Sequence, residues 1–77
     1  MPAKENRAAL KRFGANVRAR REARELSQEA VAEIADLDRT YVGGLERGER
    51  NATLGSILRI AKALKTTASD LCEGIDR

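Results

Sequence analysis

Apolar residues recur along this chain at three- and four-residue spacing, interrupted by short polar clusters that divide it into five segments. Leu10, Phe13 and Val17 share one face of a helix expected from about Ala8 to Ala23, with Arg and Lys on its other faces. Arg24-Glu25-Leu26 forms a connection, and Ser27 is placed to accept from the free N–H groups that open a second helix, Gln28 to about Ala35. Val31, Ile34 and Ala35 are its expected inner stripe, with Glu29 and Glu33 facing water. Asp36-Leu37-Asp38 reads as a turn, with Leu37 inward and Asp38 as the next N-cap. Helix three is expected over Arg39 to Arg47, anchored by Val42 and Leu45, with Gly48 in the position of a left-handed C-terminal cap. Thr53 caps helix four, Leu54 to Leu64, and Thr67 or Ser69 starts a last turn of helix carrying Leu71 and Cys72. Met1 to Arg7 is polar, holds Pro2, and reads as a frayed arm, leaving residues 8–77 as one domain. The pattern predicts an all-α fold of five helices.

Length limits what such a fold can do. Seventy-seven residues make a single small domain with a small core. Phe13 and Tyr41 are the aromatic residues, so that core must be aliphatic. With no His, no Gly-rich phosphate loop and no metal-ligand cluster, an enzyme is not expected, and neither is a metal. Cys72 is the sole cysteine, which excludes an intramolecular disulfide and fits a reducing cytoplasm. The start of the chain is charged and lacks an apolar core, so no secretory signal is expected. No apolar run is long enough to span a membrane. The chain is too short to hold a ligand-sensing domain beside this one, so neither a cofactor nor a small-molecule ligand is expected.

Charge is segregated. The net value is +3, yet residues 1–24 carry eight bases against two acids, and residues 39–65 carry six against two. Between them, residues 25–38 hold five acids and no base. Two basic segments on a small fold suit a polyanionic partner, usually nucleic acid, although solvation of a helix face accounts for such arginines equally well.

Helices two and three, joined by a tight turn, have the form of a helix-turn-helix, whose second helix enters the DNA major groove. With Val42 and Leu45 turned inward, Arg39, Thr40, Gly43, Gly44 and Arg47 occupy the remaining faces of helix three. Arg can pair with the O6 and N7 of guanine and Thr can meet a thymine methyl, each good contact being worth about 1–3 kcal/mol of discrimination. Two glycines inside a helix cost about 1 kcal/mol each relative to Ala. Gly43-Gly44 therefore either ends the helix at Val42 or lets its backbone approach DNA closely. Leu45 keeps helical register with Val42, but periodicity does not separate the two.

Residues 13–72 resemble the Cro/repressor-type (Xre) helix-turn-helix family. The carrying motifs are Leu26-Ser27-Gln28-Glu29, Tyr41-Val42-Gly43-Gly44-Leu45-Glu46-Arg47-Gly48 and Ile60-Ala61-Lys62-Ala63-Leu64. Leu37-Asp38-Arg39-Thr40-Tyr41 and Glu46-Arg47-Gly48-Glu49-Arg50-Asn51 are most similar to controller proteins of bacterial restriction–modification systems. The resemblance implies a compact repressor-type domain that binds double-stranded DNA and regulates transcription. It implies that Ser27 and Gln28 meet a phosphate at the start of helix two, and that Arg39 and Thr40 read bases. Tyr41 would lie along the sugar-phosphate backbone or at a distorted minor groove, and Arg47, Arg50 and Asn51 would grip phosphates. Gly43 and Gly44 depart from relatives with side chains there, which throws base reading onto Arg39, Thr40 and DNA shape. Glu46, a carboxylate in a basic segment, is implied to pair inward with Arg21.

The apolar stripe of helix four is wider than one packing face needs. Leu54, Ile57 and Leu58, with Leu71, Cys72 and Ile75, are either ordinary core or the interface of a homodimer. Two other readings remain beside the dimeric regulator: a helical protein-interaction domain that has lost DNA reading, and an antitoxin or phage-type repressor.

Overall fold

The structure, a computed structural model, describes residues 6–77. Five helices follow one another: α1 (Arg7–Ala23), α2 (Gln28–Ala35), α3 (Arg39–Glu46), α4 (Leu54–Ala63) and α5 (Ala68–Leu71), and there is no strand among the described residues. Most of the expected arm, residues 1–5 with Lys4, lies outside the described residues, and Arg7 already belongs to α1.

Local chemistry accounts for where the helices begin. Ser27 Oγ accepts from the Ala30 N–H at 3.0 Å, Asp38 Oδ2 from Thr40 at 3.1 Å, Thr53 Oγ1 from Ser56 at 3.0 Å, and Thr67 Oγ1 from Asp70 at 3.0 Å. Each bond satisfies a donor that the first helical turn leaves unpaired. Thr67, rather than Ser69, therefore starts α5. The helix ends share a device too. After α3, the Gly48 N–H reaches the Leu45 carbonyl and the Glu49 N–H reaches that of Gly44, with Gly48 at φ +75°. The same double closure ends α1 at Glu25, α2 at Asp36 and α4 at Lys65, three side chains held at positive φ without glycine.

The core is aliphatic around one aromatic ring. Phe13 and Val17 from α1, Val31, Ala32 and Ala35 from α2, and Val42 and Leu45 from α3 close over Ile60, Ala61 and Ala63 of α4, Leu64 just after it and Leu71 of α5. Two expectations need correction. Ile34 is 59% exposed, and Ala32 takes the inward place assigned to it. α2 packs against both α3 and α4, so its inner arc runs through Val31, Ala32 and Ala35, where small side chains permit close approach. Ile34 falls outside that arc. Leu71 is fully buried and has no surface to offer a partner. By contrast Leu54 and Leu58 of α4 stand 71% and 53% exposed.

No helix among the described residues is long and apolar enough to cross a membrane.

Candidate nucleic-acid interface

The turn between α2 and α3 sets the geometry of the site. Asp36 in the left-handed region reverses the chain, Leu37 packs onto the core, and Asp38 caps α3. Val42 and Leu45, both essentially fully buried, pin the inner side of α3. Arg39 and Thr40 are consequently exposed on its first turn, as a base-reading helix requires.

Gly43 and Gly44 stay helical. Their backbone is not left bare, however. A Cβ on Gly43 would lie 3.1 Å from Arg47 Nη1 and 3.3 Å from Gln28 Oε1, and one on Gly44 would lie 2.5 Å from Arg50 Cγ. The missing side chains thus make a shallow trough in α3 that Gln28, Arg47 and Arg50 cover, and both glycines are buried beneath them. Arg50 runs across Gly44 to place its guanidinium carbon 5.4 Å from the centre of the Tyr41 ring. That is within the range where a cation is attracted to an aromatic face.

Tyr41 also braces the loop that follows. Its hydroxyl is 3.1 Å from the Asn51 carbonyl oxygen and 3.1 Å from Ser56 Oγ, and it accepts from the Thr53 N–H at 3.4 Å. The Tyr41 hydroxyl is therefore turned into the α3–α4 connection. By holding Asn51 and stacking under Arg50, Tyr41 orders two residues of the candidate phosphate grip. Arg47 Nε meets Glu49 Oε1 at 2.9 Å, with both side chains exposed.

Behind this surface lies a buried ionic knot. Arg21 Nε donates to Glu46 Oε2 at 2.7 Å, Arg21 Nη2 to Glu46 Oε1 at 3.0 Å, and Arg21 Nη1 to the Leu26 carbonyl at 2.8 Å. Glu46 retains 3% side-chain exposure and Arg21 13%. The hydrogen bonds to Glu46 hold the Arg21 guanidinium above its ordinary pKa against the opposing effect of burial. Gln28 Nε2 is the third donor to this carboxylate, reaching Glu46 Oε1 at 3.0 Å. Gln28, assigned to a phosphate from sequence, thus spends one amide proton on Glu46 and keeps one for another acceptor. No local pattern announces this link, because 18 residues separate the two.

No group of His, Cys, Asp or Glu among the described residues could hold a metal ion. Cys72 is half-buried against the core. The exposed chemistry of the site is a short helix start bearing Arg39 and Thr40, next to a loop bearing Arg47, Arg50 and Asn51. Its donors suit base edges and phosphates.

A helix-turn-helix that presents such donors from a rigid α2–α3 unit defines a double-stranded DNA-binding protein. Residues 17–71 match the helix-turn-helix family profile, and the chain belongs to that family of DNA-binding transcriptional regulators, which are not enzymes. It is 52% identical over 56 residues to the control protein C.SmaI of Serratia marcescens, covering 73% of this chain and 67% of that protein. It is 44% identical over 62 residues to the control protein C.BamHI of Bacillus amyloliquefaciens, covering 79% and 76%. The crystal structure of the restriction-modification controller protein C.AhdI from Aeromonas hydrophila superposes with a TM-score of 0.82 at 48% identity, covering 83% of this chain and 97% of that one.

Proposed function

We propose that this protein is a cytoplasmic controller of restriction–modification genes that acts as a homodimer on a (pseudo)palindromic operator and regulates its own promoter. The observation that carries the reading is the exposure of Arg39 and Thr40 on the first turn of a helix fixed from beneath by Val42 and Leu45. The relatives named control proteins, at 52% and 44% identity, supply the regulatory setting. In this reading Arg39 and Thr40 contact bases. Gln28, Arg47, Arg50 and Asn51 fix register on the phosphates, and Ser27 holds the start of α2 against the backbone. Gly43 and Gly44 act indirectly, by letting Arg47 and Arg50 lie across α3.

The dimer follows from the size of the site. One short helix start reads few base pairs, whereas two copies can bind half-sites one helical turn apart, about 34–36 Å. Leu54 and Leu58, one helical turn apart and largely exposed, form the centre of the proposed interface, with Ile57, Cys72 and Ile75 half-buried beside the core.

The deciding experiment is a fluorescence-anisotropy titration with DNA from upstream of the gene, beside scrambled DNA, at two salt concentrations. A preference of about a thousandfold or more that weakens with salt is expected, and Arg39→Ala should abolish the preference. Binding to neither DNA at low salt would defeat the proposal.

A further inference from the structure

Three arginines stand on the DNA-facing side of the α3 region, and they are held differently. Among the described residues Arg39 has no carboxylate partner, and Arg50 rests over the Tyr41 ring. Arg47 alone of the three is held by a carboxylate, with its Nε 2.9 Å from Glu49 Oε1. This pair is no brace for the fold. Its side chains are 56% and 62% exposed, and ion pairs in water contribute little to stability.

The placement of Glu49 is nevertheless fixed. Its N–H closes on the Gly44 carbonyl at 2.9 Å, and the preceding Gly48, at φ +75°, lies so close to α1 that a Cβ would come within 2.7 Å of Lys11 Cγ. The backbone that aims the carboxylate at Arg47 is therefore part of the helix closure. A guanidinium offers the same fork of donors to a carboxylate and to a phosphate, so the two compete for it.

Resting on the reading of this face as the DNA-contacting surface, we infer that Glu49 is a built-in competitor for phosphate at Arg47, restraining affinity for DNA of any sequence. Phosphate contacts carry no sequence information, so the restraint falls equally on operator and bulk DNA. It limits the fraction of protein held on non-operator DNA and leaves base reading by Arg39 and Thr40 untouched.

The test is Glu49→Gln in the full chain, titrated against operator and scrambled DNA over a range of salt. Both DNAs should bind roughly two- to fivefold tighter at low salt. Their ratio should not change, and the slope of log K against log salt should steepen by up to about 0.9, the share of one phosphate contact that Glu49 withholds from Arg47. In an Arg47→Ala background the same substitution should have much less effect. Wild-type affinity and slope in Glu49→Gln would overturn the inference. So would an equal gain in the Arg47→Ala background, because Glu49 would then act on DNA without Arg47. A wild-type chain that binds neither DNA removes the functional reading and this inference together. One that prefers operator DNA while Glu49→Gln changes nothing removes only the inference.

Discussion

Gly14 of α1 lies directly against the last turn of α3, where a Cβ on it would run into the Leu45 and Glu46 carbonyl oxygens. The two helices meet backbone to backbone, and the contact sets how far α3 stands out from the domain. Gly14→Ala should destabilise the protein by about 1–3 kcal/mol through overpacking, outweighing the gain of about 1 kcal/mol in helix propensity. Thermal melting checks this, with a fall of roughly 4–8 °C expected per kcal/mol in a domain of this size. A higher melting point would mean that α1 and α3 can separate without loss.

Arg21→Ala should be more damaging. It leaves Glu46, at 3% side-chain exposure, with Gln28 as its remaining side-chain donor, and removes the bond to the Leu26 carbonyl. Breaking a buried pair from one side costs about 3–5 kcal/mol. The denaturation midpoint should fall accordingly, and an unchanged one would deny the pair any structural role. Arg21 keeps its charge across the ordinary pH range, because its pKa is raised rather than lowered. The stability that the raised guanidinium pKa brings is present at neutral pH and is lost as pH rises through that pKa.

Lys65 offers a gain. It holds φ +54° at the end of α4 while its side chain is exposed, and the closure it serves uses backbone atoms alone. An L-residue in this region costs about 1–2 kcal/mol, part of which glycine returns as lost chain entropy. Lys65→Gly should therefore raise stability by about 0.5–1 kcal/mol, seen as a higher denaturant midpoint at unchanged slope. A lower midpoint would show that the lysine side chain stabilises the closure.

The proposed dimer is tested by Leu58→Asp. At 53% exposure, Leu58 can accept a carboxylate without opening the core, so helical content should persist. Light scattering at high micromolar concentration should show dimer for the wild type and monomer for the variant. Operator affinity should drop at least about tenfold, because each half-site must then be bound separately. A monomeric wild type would count against the dimer directly.

The order and approximate limits of all five helices were legible in the sequence. Ser27, Asp38, Thr53 and Gly48 announce helix ends because capping acts within a few residues along the chain. Arg39 and Thr40 could be placed on the first turn of α3 for the same reason, since the cap at Asp38 and the inward pair Val42 and Leu45 fix the phase of the helix. The Cro/repressor resemblance likewise runs along contiguous motifs.

Contacts between distant segments needed the fold. Spacing alone allowed Ile34 as a core residue, but the close approach of α2 to α3 and α4 put Ala32 there. Leu71 was readable as interface or interior until α5 closed over the core. Gly43-Gly44 looked like either a turn or bare backbone, and became a covered trough once Gln28, Arg47 and Arg50 were brought over it. Gly14, the Tyr41 hydroxyl and the Gln28–Glu46 bond carry no local signal. Caps and periodicity are properties of neighbouring residues, which the sequence alone determined. Close approach and shared hydrogen bonds join residues far apart in the chain, and only the packed tertiary structure brings those together.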